Sequence, residues 1–84
     1  MKIEIYTRAS CSFCYAAKRL LATQDLPYEE YSLDRDPALM GEMIERTGNR
    51  TVPQVIIDDR SIGGFRELSE IDLGGLLAGV AGIR

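Results

Sequence analysis

Cys11-Ser12-Phe13-Cys14 decides how this chain is read, because it holds the only two cysteines and stands where a strand pattern gives way to a helical one. Before it, Ile3 and Ile5 alternate with Glu4 and Tyr6, the period-2 signature of a strand with one buried face. Thr7-Arg8-Ala9-Ser10 is then a loop that delivers Cys11. From Phe13 onward Cys14, Ala17, Leu20, Leu21 and Gln24 recur at helical spacing, to about Gln24, with Lys18 and Arg19 turned to water. Cysteines three apart in a first helical turn share a face and come within the roughly 4.4–6.8 Å Cα separation that a disulfide needs. The pair can open and close with little backbone movement. Cys11 falls at the helix start, where free N–H groups and the positive end of the helix dipole favour a thiolate. Such surroundings lower a cysteine pKa from about 8.5 to roughly 3.5–7.5. Cys11 is therefore the expected nucleophile, and Cys14, one turn further in and facing the core, the expected resolving thiol.

Two other uses of the pair are weaker. Structural zinc takes four protein ligands, and the chain has no His and no further Cys, so no metal site is expected. A permanent staple across so short a loop constrains the unfolded chain little. Thiol redox chemistry remains.

Eighty-four residues make one domain, spanning 1–84, with no room for a second core. Hydrophobic residues at 45% and charged residues at 27% are globular values that argue against disorder. The net charge of −3 argues against general nucleic-acid binding, which needs a clustered basic surface. Met1-Lys2-Ile3-Glu4-Ile5 lacks the apolar run of a signal peptide, so a cytoplasmic location is expected, where a disulfide is usually catalytic or redox-sensing. Leu73 to Ile83 is the most apolar stretch, carries four glycines and is too short to span a bilayer. It reads as a terminal packing segment, and no membrane partner is expected.

Leu26-Pro27 ends the first helix, and Tyr28 to Leu33 read as a second strand with Tyr31 and Leu33 on one face. Asp36 is the expected N-cap of a second helix with Pro37 at its first position. Met40, Met43, Ile44 and Thr47 form its buried stripe, and Gly48 its left-handed stop. Gln54-Val55-Ile56-Ile57 is a β-branched central strand, Asp58-Asp59 a turn, and Ser61-Ile62 the start of a return strand. Gly63-Gly64 breaks that strand. Phe65-Arg66-Glu67-Leu68 opens a third helix, with Leu68 and Ile71 inward and Gly74-Gly75 as its stop. A strand–helix–strand unit implies a right-handed parallel crossover, and the hairpin adds two antiparallel strands. The expected fold class is α/β, a four-stranded mixed sheet with helices on its faces.

Thr51-Val52-Pro53 places a proline at the very start of a strand, one of the few places a sheet accepts it. In combination with Ile5-Tyr6-Thr7-Arg8, Cys11-Ser12-Phe13-Cys14, Thr51-Val52-Pro53-Gln54 and Ile62-Gly63-Gly64, it makes the chain resemble the glutaredoxin family, from Lys2 to about Gly75. The resemblance implies a thioredoxin-like fold with three or four helices. It also implies that Pro53 is cis and lies against the cysteines, capping the sulfurs against strong metal binding. Glutathione is the implied co-substrate and partner. Its cysteinyl part would meet Thr51 and the Val52 backbone, with Phe13 as an aromatic wall and Arg8, with Arg50, as cations for the glycine carboxylate. The N–H groups of Gly64 and Phe65 would take the γ-glutamyl carboxylate, as helix N-termini take anions, and Glu67 its ammonium.

The chain departs from the family pattern twice. Cys-Pro-Tyr-Cys is the usual motif, and relatives with Ser after the first cysteine include some that bridge a [2Fe–2S] cluster between two chains, with glutathione as further ligands. Phe65-Arg66-Glu67 replaces the usual Cys-Asp-Asp, so Arg66 reverses a charge beside the proposed ammonium position. The expected activity is that of a monomeric enzyme reducing disulfide-containing or glutathionylated proteins and recycled by glutathione. The alternatives are a redoxin recycled by thioredoxin reductase and a cluster carrier.

Overall fold

A computed structural model describes residues 1–71; the segment from Leu73 to Ile83 and the Gly74-Gly75 helix stop lie outside the described residues. The elements follow the expected order: β1 (Ile3–Thr7), α1 (Ser12–Thr23), β2 (Glu29–Ser32), α2 (Ala38–Thr47), β3 (Gln54–Ile57), β4 (Arg60–Gly63) and α3 (Phe65–Glu70). The four strands form one mixed sheet in the order β2-β1-β3-β4, with β1 parallel to β2 and antiparallel to β3, and β3 antiparallel to β4.

The sheet has a core on each face. Ile3, Ile5, Val55 and Ile57 pack with Ala17 and Leu21 of α1 and Leu68 of α3, while Tyr6 and Ile56 on the other side pack with Leu33 and with Met43 of α2. This corrects the reading of β1 as a strand with one wet face. All five of its residues are buried, Glu4 at 3% exposure included. A carboxylate tolerates that position only when paired, and Arg46 supplies the pair: its Nη2 meets Glu4 Oε1 at 2.9 Å and its Nη1 meets Oε2 at 3.0 Å, while Tyr31 donates to Oε2 at 2.8 Å.

Local signals set the element ends. Asp36 caps α2 through its side chain, accepting from the Ala38 N–H at 3.0 Å, while Pro37 already has helical dihedrals. Gly48 ends the helix at φ +74°, the left-handed conformation that glycine reaches without a Cβ clash. Asp58 and Asp59 both take positive φ, as a two-residue hairpin turn demands. Gln24, grouped by spacing with the buried face of α1, is instead its exposed C-cap. Leu26, just beyond it, is the residue that turns inward.

Candidate active site

The register of the sheet brings three separate segments to one edge. Cys11 follows the C-terminal end of β1. Because β3 runs antiparallel, with Gln54 opposite Tyr6, its first residues start at that same edge and carry Pro53 with them. Gly63 pairs with Val55, so β4 also finishes there and hands the chain to Gly64 and α3. The cysteine loop, the proline turn and the start of α3 therefore meet, although some 40 residues separate the first two along the chain.

Cys11 is the N-cap of α1, with extended dihedrals at φ −100° and ψ 108°. Its Sγ accepts the Cys14 N–H at 3.0 Å, the place usually taken by a Ser or Asp oxygen. It also lies 3.7 Å from the Val52 carbonyl oxygen. The two cysteines are joined as a disulfide with a Cα separation of 5.2 Å. Cys11 is partly accessible, whereas Cys14 is 1% exposed and faces the core. The Val52–Pro53 peptide bond is cis.

Beside the pair runs a groove of about 590 Å³. Of the residues expected to bind substrate, Phe13, Thr51, Val52, Pro53, Gly64, Phe65 and Glu67 all line it. Phe13 is 63% exposed and its ring stacks on Phe65 with centroids 6.0 Å apart, forming an apolar wall. Arg8 is not among the lining residues; its Nη1 sits 3.6 Å from Asp34 Oδ1. Arg50 is likewise absent from the lining, where Asn49, Gln54, Ile62 and Gly63 appear instead. Gln54 and Ile62 leave a signal in the sequence, since both stand in the motifs that carry the family resemblance; Asn49 leaves none.

At the α3 end one of the two expected donors, the Gly64 N–H, is already engaged. Glu67 Oε1 accepts the Gly64 N–H at 2.8 Å, and this contact is the first cause that holds the Glu67 carboxyl below the usual carboxylate range. Arg66 closes on the other oxygen, with Nη2 3.2 Å from Oε2. Arg66 thus faces Glu67 rather than standing apart as a repelling charge. Gly63 is needed here: at φ +118° its Cα lies so close that a Cβ would come within 2.8 Å of Glu67 Cγ.

A thiol pair at a helix N-cap beside a cis-proline and an apolar groove is the geometry of disulfide exchange. The sequence profile of the glutaredoxin family matches residues 3–62. The chain belongs to the glutaredoxin family. Glutaredoxin 3 of Escherichia coli K12 is 41% identical over 73 residues, which cover 87% of this chain and 88% of that one. In three dimensions the chain is similar to a buckwheat glutaredoxin solved in complex with glutathione, at TM-score 0.79 and 28% identity over 92% of this chain and 73% of that one. It is similar also to a glutaredoxin of Brucella melitensis, at TM-score 0.75 and 35% identity over 95% and 87% of the two chains. As a glutaredoxin it is a thiol–disulfide oxidoreductase, with Cys11 and Cys14 at bonding distance. Among the described residues no helix is long and apolar enough to cross a membrane.

Proposed function

We propose that the protein reduces glutathione mixed disulfides and protein disulfides, with Cys11 as nucleophile, Cys14 as resolving thiol and glutathione as the recycling reductant. The observation that carries this reading is the Cys11 sulfur at the helix N-cap, accepting a backbone N–H and lying 3.7 Å from the carbonyl oxygen of Val52, which lines the groove. A hydrogen bond to the charged form favours that form, so the reduced Cys11 is the thiolate that attacks. It forms a mixed disulfide, which Cys14 or a second glutathione resolves.

In the groove, Thr51, the Val52 backbone and Pro53 flank the cysteinyl part of glutathione, and the stacked Phe13 and Phe65 rings form the apolar wall beside it. The γ-glutamyl end extends toward Gly64, Phe65 and Glu67, and the glycine carboxylate toward the cations Arg8 and Arg50. Every residue assigned to the site belongs to one chain, and a monomer is the form proposed for the enzyme. A dithiol that must be kept reduced suits the cytoplasm. A [2Fe–2S] cluster takes four thiolate ligands; in the two-chain arrangement, Cys11 of each chain, the partly accessible sulfur, would supply one and glutathione the other two. The enzyme reading stands ahead of the carrier because Cys11 and Cys14 are joined to each other as a redox-active pair.

The test is a coupled assay with glutathione, glutathione reductase and the mixed disulfide of glutathione with a small thiol. Efficient turnover is expected. Reduction supported by thioredoxin reductase alone, with no turnover by glutathione, would overturn the reading.

A further inference from the structure

On the sheet face covered by α1, two side chains that the thiol chemistry leaves unused meet at the carboxylate of a third, Glu30. Glu30 Oε2 accepts from Thr7 Oγ1 at 2.6 Å and from Lys18 Nζ at 2.9 Å. Thr7 is the last residue of β1 and is buried, and the parallel register sets Glu30 opposite Ile5. Lys18, which spacing alone had turned to water, is drawn onto β2 with its side chain 28% exposed against 34% for Glu30. It belongs to the cysteine helix and follows Cys14 by four residues, so the two are neighbours on one helix face, about 5–6 Å apart at Cβ. Helical side chains lean toward the N-terminus, which carries the lysine stem toward the level of Cys14.

Cys14 needs help of this kind. It is buried, and burial disfavours a thiolate. In the resolving step its sulfur attacks Cys11 Sγ within the mixed disulfide. The Cys14–Cys11 bond forms, the bond from Cys11 to the substrate sulfur breaks, and the substrate leaves as a thiolate. The proton given up by Cys14 goes to solvent and is matched by the one the departing thiolate takes up. We propose that Lys18 is a positioning residue for this step: its ammonium, anchored by Glu30, stabilises the Cys14 thiolate, and Glu30 limits how much of that charge Cys14 feels. The inference rests on the dithiol reading above.

The neighbouring charges are consistent with the role. Burial works against the Glu30 charge, but the hydrogen bonds from Thr7 and Lys18 outweigh it and hold the carboxyl below its usual range, with Arg35 adding attraction. Glu30 is therefore an anion at neutral pH. Glu4 of β1 engages Arg46 of α2, and on α3 Arg66 and Glu67 engage each other.

The test is the pH dependence of the resolving step, followed in single turnover as glutathione released from enzyme glutathionylated at Cys11. Lys18→Met should raise the apparent pKa of Cys14 by about one unit, as losing a nearby opposite charge does. The rate at pH 7 should then fall roughly three-fold, because tenfold less thiolate is partly offset by its greater nucleophilicity. Lys18→Arg should restore both. Glu30→Gln keeps an acceptor for Thr7, removes the opposing charge, and should move the pKa down. An unchanged pKa in Lys18→Met, or a shift in the same direction in Glu30→Gln, overturns the proposal. So does equal slowing of the first attack by Cys11, measured on a Cys14→Ser background. Absence of that single-thiol reaction in the Cys14→Ser parent would instead refute the glutathione reading itself.

Discussion

Cys11 and Cys14 sit three residues apart, yet the fold gives their sulfurs opposite surroundings: one accepts a backbone N–H at the groove, the other is buried against the core. Cys11→Ser should abolish all turnover, while Cys14→Ser should still reduce glutathione mixed disulfides by the single-thiol route. Iodoacetamide alkylation against pH should give Cys11 an apparent pKa well below the 8.5 or so of free cysteine; a value near 8.5 would refute the N-cap argument. Gly63 is the other residue on which the site depends. Gly63→Ala combines a positive φ with a Cβ that meets Glu67. It should cost about 1–3 kcal/mol in urea denaturation and raise KM for a glutathionylated peptide as Glu67 is pushed from the Gly64 N–H.

At the scale of elements, α2 is tied to the sheet by charge as well as by Met43. Arg46, in its last turn, holds the buried Glu4, donates to the Tyr6 hydroxyl at 3.0 Å and approaches Asp59 at 3.6 Å, while Tyr6 donates to Glu42. Removing one partner of a buried pair leaves the other uncompensated. Arg46→Met should therefore cost about 3 kcal/mol, read as a lowered denaturation midpoint. The same cluster sets an acid limit. The Arg46 hydrogen bonds hold the Glu4 carboxyl below its usual value, against burial, with Tyr31 adding to the effect. The folded state therefore binds the proton less readily than the unfolded state. This contribution is complete above the ordinary carboxylate pKa of about 4.3 and is lost as pH falls below it toward the depressed folded value. Arg46→Met should flatten that loss in a series of melts between pH 6 and pH 3.

For the whole molecule, the central strands β1 and β3 are shared by both cores, so neither core is expected to unfold alone. Leu21→Ala on the α1 side and Met43→Ala on the α2 side should each cost about 2–5 kcal/mol. Both should leave a single transition in which far-UV circular dichroism coincides with the fluorescence of the tyrosines, of which Tyr6 and Tyr31 lie on the α2 face and Tyr28 on the α1 face. Separate transitions would show that the sheet does not couple its two faces.

Features that depend on neighbours within about four residues could be read from the chain alone. The cysteine spacing at a helix start, the Asp36 cap, the Gly48 stop, the Asp58-Asp59 turn and the helical stripe through Ala17 and Leu21 all depend on local geometry, and all were legible. So were the motifs that mark the family. Which distant groups meet depends on the folded arrangement. Glu4 reads as a solvent-facing residue because a carboxylate is polar in any one-dimensional pattern; it is buried because Arg46 arrives 42 residues later with the matching charge. Lys18 reads as wet until β2 brings Glu30 to it, and Arg8 and Glu67 read as free charges until Asp34 and the Gly64 N–H claim them. The groove exists because the register of β3 against β1 and β4 delivers the proline turn and the start of α3 to the cysteine edge. Pairing across a sheet and between layers is chosen by register and by satisfying buried charge, and neither is encoded in local spacing.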